Sequence, residues 1–186
     1  LLTGGEEAYL TMQEYIVLGI IIVVVALLVY TYNNLVSMKN VVDSTWANID
    51  TLLQKRFDLV PNLISTVKGY LQHEREVEVL ENVTRARTAW LNSSSVNDRA
   101  NADQMAAGAL KTLFAVSENY PELKANQNFL MLQEELAGLE SKIAYARQCY
   151  NQTVMVYNTA ILRFPNSLLA NPLKFFPREF FSVENK

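Results

Sequence analysis

The pattern that comes nearest to a catalytic or metal-binding set surrounds the single histidine, His73, which is followed by Glu74 and three more glutamates. A di-iron site in a helical bundle needs two Glu-x-x-His pairs on facing helices. A zinc hydrolase of the His-Glu-x-x-His type also needs two histidines. A cysteine–histidine dyad would require the single cysteine, Cys149, to meet His73, and no motif brings them together. We therefore predict no catalytic residue, and we expect His73 and Glu74 on a solvated helix surface or in a polar contact inside a bundle.

Nucleotide and nucleic-acid binding are also unsupported. Lys68-Gly69 lies in a helical pattern and not in a glycine-rich loop after a strand. All 16 Lys and Arg residues follow Asn33, as do all but three of the 19 acidic residues, so this region has no excess of basic charge. We therefore predict no cofactor, no bound metal, no small-molecule substrate and no nucleic-acid partner.

The longest apolar run of the chain lies between Tyr15 and Tyr32 and contains no charged residue. Its fully apolar part is shorter than the ~20 residues of a membrane span, but tyrosines extend it at both ends, where bilayer interfaces favour them. A buried core helix would show a polar face, and a signal peptide would have basic residues before it and a cleavage site after it. We therefore predict a transmembrane helix over residues 15–32. Its predicted anchor residues are Tyr15, Ile16, Ile20, Val24, Leu28, Tyr30 and Tyr32.

The charges beside this span predict its orientation. No Lys or Arg precedes it, whereas Lys39, Lys55 and Arg56 follow it, and such an excess favours the cytoplasmic side. We expect a single-pass protein of the cell membrane, with the short segment 1–14 outside and the rest of the chain in the cytoplasm. Because the sequence begins at Leu1, we also expect an initiator methionine or a longer leader before it.

Apolar periodicity after the span predicts an all-α fold, and the low content of six glycines and five prolines favours long helices. The transmembrane helix continues into the bundle as far as Asp58 and Pro61, which predict a helix boundary, and a second helix covers about residues 62–91. A loop at 92–95 precedes a short helix over about 101–119. We expect an elongated antiparallel bundle of three long helices and one short helix over residues 33–165.

The last long helix carries a heptad seam between Pro121 and Pro165, a pattern that is typical of a coiled coil. The pairs Tyr150-Asn151 and Tyr157-Asn158 lie at equivalent heptad positions, where buried polar groups can set the register of neighbouring helices. The alternative is a core tyrosine beside a solvated asparagine. The predicted seam and register residues are Trp46, Ile49, Phe57, Leu63, Val67, Tyr70, Leu132, Leu136, Leu139, Ile143, Tyr150, Asn151, Tyr157 and Asn158.

Polar residues near the predicted helix ends and phenylalanines of the tail form a candidate interface. The polar residues either cap helices or contact another subunit. Residues 166–186 either pack against the bundle as an extended arm or bind a partner or the membrane surface. The candidate interface residues are Asp58, Asn62, Lys68, His73, Glu74, Lys124, Asn126, Phe175, Phe176, Phe180 and Phe181.

Several short motifs span most of the chain. They are Tyr32-Asn33, Asp58-Leu59-Val60-Pro61-Asn62-Leu63, His73-Glu74, the run Tyr-Pro-Glu-Leu-Lys-Ala-Asn at 120–126, Ala146-Arg147, Tyr150-Asn151, Tyr157-Asn158 and Phe164-Pro165. Together they resemble the LemA family of bacterial and archaeal membrane proteins over about residues 32–181, apart from the loop near Ser94 and the helix after it. Lys39 stands where the family often has arginine. The resemblance implies one amino-terminal span and a helical bundle, and some relatives are linked to the building or shaping of internal membranes.

These observations lead to one main hypothesis for function. We expect a non-enzymatic, membrane-anchored scaffold that assembles as a homo-oligomer and organises or shapes the bilayer. The alternative is an adaptor or receptor that, as a monomer or small oligomer, presents its bundle to one soluble or membrane protein, for instance a protease system. A metal-dependent enzyme is the least favoured alternative, because His73 has no second histidine to complete a site.

Overall fold

The computed structural model describes the backbone of residues 3–71 and 74–182, together with the side chains of residues 12–71 and 76–182. The described residues form helices and turns without a strand, so the predicted all-α fold is confirmed. In chain order the helices are α1 (Thr3–Val67), α2 (Glu74–Leu91), α3 (Val96–Ser117), α4 (Pro121–Lys124), α5 (Gln127–Leu162) and α6 (Asn166–Ala170).

The chain divides into two compact units. The first unit consists of Leu1–Val41 with Val156–Pro177, and the second unit consists of Val42–Met155 with Arg178–Lys186. Helices α1 and α5 each contribute residues to both units, whereas α2, α3 and α4 belong to the second unit and α6 belongs to the first.

Neighbouring helices of the second unit run antiparallel. Trp46 of α1 lies against Tyr150 of α5, with ring centroids 5.5 Å apart. Further along α1, Arg56 pairs with Glu140 of α5. Because the partner's number falls as the number in α1 rises, the two helices run in opposite directions. Helices α2 and α3 pack against each other on either side of the short loop at 92–95, as expected for an antiparallel bundle.

The core of the second unit is an apolar stripe of α1 covered by the other helices. Phe57 is fully buried and stacks on Trp90 of α2 at a centroid distance of 5.0 Å. The Nε–H of Arg87 donates to the carbonyl oxygen of Phe57 at 3.2 Å, which adds a polar contact beside the stacked rings. The buried apolar residues that α1 and α5 contribute to this unit are Val42, Ile49, Leu53, Phe57, Val60, Leu63, Val67, Phe129, Leu136, Leu139, Ile143, Ala146, Tyr150 and Val154.

Pro61 does not end a helix, contrary to the prediction. Helix α1 continues through it to Val67, and the predicted helix over residues 62–91 is therefore divided between α1 and α2. A proline inside a helix removes one backbone hydrogen bond and costs about 3 kcal/mol. Val60, Leu63 and Val67 are all buried, and the burial of this stripe on both sides of Pro61 offsets that cost.

The predicted helix between Pro121 and Pro165 is interrupted near its start by Asn126. The Oδ1 atom of Asn126 accepts hydrogen bonds from the backbone N–H groups of Asn128 at 2.9 Å and Phe129 at 3.2 Å. These N–H groups lie in the first turn of α5 and have no partner within the helix, so an asparagine side chain here stabilises a new helix start.

Helix α3 begins earlier than the sequence predicts. Ser95 accepts from the backbone N–H of Asp98, and the Asp98 carboxylate accepts from the backbone N–H of Ser95, which is a reciprocal capping box. These bonds hold the pKa of the Asp98 carboxyl below its usual value, with the Ser95 side chain as the largest cause. The helix therefore starts at Val96, directly after the predicted loop.

The first unit combines part of α1 with the end of α5 and with α6. Leu35 of α1 and Tyr157 of α5 are buried, as is Ala170 of α6. The Nδ2 group of Asn166 donates to the carbonyl oxygen of Ala160 at 2.9 Å, which ties the start of α6 to the end of α5. The segment that was predicted to be an extended arm thus begins with a short helix, and irregular backbone follows from Phe175.

The stack of Phe57 on Trp90 predicts a large loss of stability when the phenylalanine is truncated. We expect Phe57→Ala to lower the free energy of unfolding by about 3–5 kcal/mol, because it removes buried area and leaves a cavity. Urea unfolding followed by circular dichroism, in a mild detergent, would measure the change. The matched control is Leu91→Ala, since Leu91 is 56% exposed. An equal effect of the two substitutions would contradict this account of the core.

Candidate functional site

A long run of uncovered apolar side chains lies on α1. One helix in the described part of the chain, Met12–Val67, is long and apolar enough to cross a membrane, and 6% of its most apolar window is buried. A helix in the core of a soluble protein would be mostly covered. From Tyr15 to Tyr30 every side chain is exposed, and Thr31 is the first buried residue. Exposed apolar residues on all sides of a helix are suited to lipid.

A buried cluster of charges lies inside the second unit. Arg56 of α1 is 2% exposed, and its guanidinium pairs with Asp103 of α3 at 2.5 Å and with Glu140 of α5. Asp103 is 3% exposed, whereas the side chain of Glu140 is half exposed. The cluster joins three helices at one level of the bundle.

The buried position of Asp103 determines its acidity. Burial raises the pKa of the Asp103 carboxyl above its ordinary value of 3.8, and the opposing effects of Arg56 and Arg147 are smaller. A charge in an apolar interior is destabilising unless it is paired, so the stability of the bundle depends on keeping Arg56 and Asp103 together.

The end of the chain is held against the second unit by Asn151. Its Nδ2 group donates to the carbonyl oxygen of Phe181 at 3.1 Å, and its Oδ1 accepts from the Phe181 N–H at 2.8 Å. This amide pairs with the backbone of Phe181 in the way that a neighbouring strand would. Tyr150 reinforces the contact because its hydroxyl donates to the carbonyl oxygen of Glu179 at 2.9 Å. Burial raises the pKa of this hydroxyl, which stays protonated as a donor.

Aromatic and ionic contacts complete the attachment of residues 178–182. The ring of Phe181 is buried and lies 6.2 Å from the ring of Trp46, while the guanidinium of Arg147 lies 5.3 Å from the Phe181 ring centroid. Arg178 pairs with Asp43 of α1 at 2.7 Å. The tail therefore connects α1 to α5 and is part of the folded second unit.

The polar residues predicted near helix ends make mostly local contacts. The carbonyl oxygen of Asn62 accepts from Ser65 and Thr66, and the Nδ2 group of Asn126 donates to the Tyr70 hydroxyl at 3.3 Å. His73 lies outside the described residues, and Glu74 is described only by its backbone as the first residue of α2. The Ser65 and Thr66 bonds lie within α1, the Asn126 bond links two segments of the second unit, and a shared contact surface for another subunit remains a prediction.

The structure places the remaining predicted residues as follows. The anchor residues Tyr15, Ile16, Ile20, Val24, Leu28, Tyr30 and Tyr32 are all exposed. Of the seam residues, Ile49, Phe57, Leu63, Val67, Leu136, Leu139, Ile143, Tyr150 and Tyr157 are buried, and Trp46, Tyr70, Leu132, Asn151 and Asn158 are half-buried. Of the candidate interface residues, Phe175 and Phe181 are buried, Asn126 is half-buried, and Asp58, Asn62, Lys68, Lys124, Phe176 and Phe180 are exposed.

Sequence reasoning missed the Arg56, Asp103 and Glu140 cluster. The sequence feature that could have indicated this cluster is a charged residue on an apolar helix face. Arg56 lies between the buried Leu53 and Val60, and Asp103 lies among buried alanines. Among the described residues, no group of three or more His, Cys, Asp or Glu side chains could hold a metal ion.

These features define a class: an all-helical protein with one candidate membrane-crossing helix, in its described residues, and a bundle that contains a buried ion pair. The sequence model of the LemA family matches residues 45–186, which is most of the chain. The protein therefore belongs to the LemA family.

Curated relatives agree with this assignment at low identity. Magnetosome proteins MamQ 1 and MamQ 2 of Paramagnetospirillum magneticum are each 23% identical over 185 residues, which covers 87% of this chain and 68% of theirs. Protein LemA of Metamycoplasma hominis is 25% identical over 179 residues, which covers 94% of this chain and 78% of its own.

The buried cluster predicts that Arg56 is essential for stability. We expect Arg56→Met to lower the free energy of unfolding by about 3–5 kcal/mol, because it leaves Asp103 buried without its partner. The double variant Arg56→Met/Asp103→Leu should recover much of this loss, since it removes both charges. Arg85→Met on the exposed side of α2 is the matched control. A loss no greater than that of the control would contradict the assignment.

The raised pKa of Asp103 predicts a pH effect with a definite sign. The folded state holds this proton more tightly than the unfolded state, so the stabilisation is full below the unfolded pKa and is lost as pH rises through the folded pKa. We therefore expect the free energy of unfolding of the wild type, relative to Asp103→Asn, to fall as pH rises from 3.8. Urea unfolding at a series of pH values would show it, and parallel pH profiles would refute it.

The two hydrogen bonds between Asn151 and Phe181 predict that the tail detaches in Asn151→Ala. We expect faster amide exchange over residues 178–182, by about 5- to 30-fold, because two hydrogen bonds of ~0.5–1 kcal/mol each are lost. Hydrogen–deuterium exchange with mass spectrometry would measure this. Gln152→Ala, at the neighbouring exposed position, should leave the exchange unchanged. Similar rates in both variants would show that Asn151 does not hold the tail.

Proposed function

We propose that this protein is a non-enzymatic scaffold, anchored in a membrane by α1, whose helical bundles assemble with one another and so organise or shape the bilayer. The observation that carries the proposal is the outer face of α5, which exposes large apolar and small side chains among its polar residues although the opposite face is already buried. Met131 and Tyr145 on this outer face are 65% and 71% exposed.

The exposed face of α5 is suited to contacts between copies of the chain. The residues between Met131 and Tyr145 on this face include Gly138, Ser141 and Ala144, all small and exposed, so another helix could approach closely. Large apolar side chains at the ends of such a stretch would supply buried area when two copies meet.

Membrane anchoring strengthens this argument. Copies whose α1 helices cross the same bilayer are confined to one surface, which raises their effective concentration. Contacts that would be too weak for assembly in solution are then sufficient for assembly on the membrane. The exposed apolar residues between Tyr15 and Tyr30 support the anchoring itself.

Flanking charge and the relatives support the remaining parts of the proposal. Lys39 and Lys55 are exposed after the span, which favours a single-pass protein with its bundle in the cytoplasm. Two relatives are named magnetosome proteins. Together with the link of some family members to internal membranes, these names support a role in membrane organisation.

An adaptor for a different protein is the second candidate, and a groove in the second unit favours it. The groove has a volume of about 610 Å³ and lies between α3 and α5, with apolar walls that include Leu110, Phe114 and Leu136. Lys111 and Glu140 supply charge of both signs at its lining. A helix or loop of a partner with one apolar side chain could bind there.

The mass of the protein, extracted in a mild detergent and measured by light scattering with particle imaging, tests the scaffold. We expect a large, uniform assembly. The double variant Met131→Ser/Tyr145→Ser should reduce the mass without loss of helix content, because it removes the two large exposed apolar side chains that we expect at the contact. Leu91→Ser on α2, at a residue of 56% exposure, is the matched control and should leave the mass unchanged.

Two outcomes would overturn the scaffold proposal. A wild-type monomer or dimer in detergent and in nanodiscs would contradict self-assembly and favour the adaptor. An assembly of unchanged mass in the double variant would show that the outer face of α5 is not the contact.

A further inference from the structure

A short segment of the first unit exposes an unusual number of large apolar side chains. This return segment, defined as residues 162–176, contains the end of α5, α6 and the turn after it. Phe164 is 81% exposed and Leu162 is 76% exposed. Single exposed apolar residues are ordinary, but a group of them marks an interaction surface. Its exposed large apolar residues are Leu162, Phe164, Leu168, Leu173 and Phe176.

The return segment is folded, so this exposure is a property of its structure. The N–H of Phe175 donates to the carbonyl oxygen of Ala170 at 2.8 Å, and Asn166 ties the start of α6 to Ala160. Ala170 and Phe175 are buried, whereas Leu168 and Phe176 are exposed. The segment therefore separates an inner apolar side, which packs within the unit, from an outer apolar side without cover in the described chain.

A contact with α1 places the return segment at the end of the candidate membrane helix. The ring of Phe175 meets the ring of Tyr32 edge-to-face at a centroid distance of 6.1 Å. Tyr32 is the last residue of the predicted span, and Thr31 beside it is the first buried residue after the exposed apolar stretch. The surface that the segment exposes thus adjoins the surface that lipid would cover.

The charge of the segment suits the headgroup region of a bilayer. Residues 156–177 contain Arg163 and Lys174 and no acidic residue. Both side chains are exposed, and Lys39 of α1, in the same unit, is exposed as well. Aromatic residues and long basic side chains favour the interface, where rings meet acyl chains and cations meet phosphate.

We propose that the return segment is a second membrane contact, which inserts its exposed apolar side chains into the interface of the bilayer that α1 crosses. Arg163 and Lys174 contact the phosphate groups of the lipids. This inference rests on the proposed membrane anchoring by α1 and not on self-assembly. It gives the first unit two points of attachment, which would restrict its rotation relative to the membrane plane.

Spin labels at single cysteines test the proposal in the full chain. In a Cys149→Ser background, labels at Leu168→Cys and Phe176→Cys report on the return segment. A label at Tyr145→Cys is the exposed control in the second unit, and one at Ile20→Cys reports on the candidate span. The protein is placed at one copy per nanodisc, in phosphatidylcholine with and without phosphatidylglycerol. Power saturation compares collisions with oxygen, which concentrates in lipid, and with a water-soluble nickel chelate.

The expected result is an oxygen-to-nickel collision ratio several-fold higher at residues 168 and 176 than at 145, and a further rise at both when phosphatidylglycerol is present. Ratios at 168 and 176 equal to that at 145 would overturn the proposal. Low collision with both reagents would also overturn it, since protein and not lipid would then cover the segment. A low ratio at residue 20 would refute the anchoring itself, whereas a high ratio there with low ratios at 168 and 176 would refute only the second contact.

Discussion

One helix has to satisfy two environments in succession, and the rest of the structure depends on this constraint. Between Tyr15 and Tyr30 the apolar side chains of α1 point in every direction and none is buried. From Leu35 onward a single stripe of α1 is buried while the other faces carry polar residues. The second part gains its free energy of burial from other helices, whereas the first part exposes an apolar surface that suits lipid. Helices α2, α3 and α5 contact that part of α1 through Trp90, Asp103 and Tyr150.

Within the second unit, a buried ion pair accompanies the apolar core. Arg56 lies on the stripe where an apolar residue would pack more simply, and it is paired with Asp103 and Glu140 from two other helices. An ion pair of this kind adds little net stability, but an arrangement that separated its members would leave a charge without a partner. The cluster therefore favours one relative position of α1, α3 and α5 over those that apolar contacts alone would allow.

The tyrosine–asparagine pair of α5 makes a contact that its heptad positions do not predict. Asn151 was predicted to set the register of neighbouring helices. In the structure its amide binds the backbone of Phe181, and the Tyr150 hydroxyl binds that of Glu179. The pair holds the tail of the chain against the bundle, and a role in helix register remains a proposal. In the first unit, the contact between Phe175 and Tyr32 is likewise visible only in the structure. It places the return segment, with its exposed phenylalanines Phe164 and Phe176, at the end of the candidate membrane helix.

The sequence by itself determined the all-α fold, the candidate membrane helix and the family, because each depends on local periodicity, composition or short motifs. It did not determine that α1 passes through Pro61, because the burial of Leu63 and Val67 that offsets the proline comes from other helices. Nor could it pair Arg56 with residues 47 and 84 positions away, or Asn151 with one 30 positions away. Such contacts are decided only when the helices pack. The sequence offers many possible partners for each polar side chain, and packing brings only a few of them within contact distance.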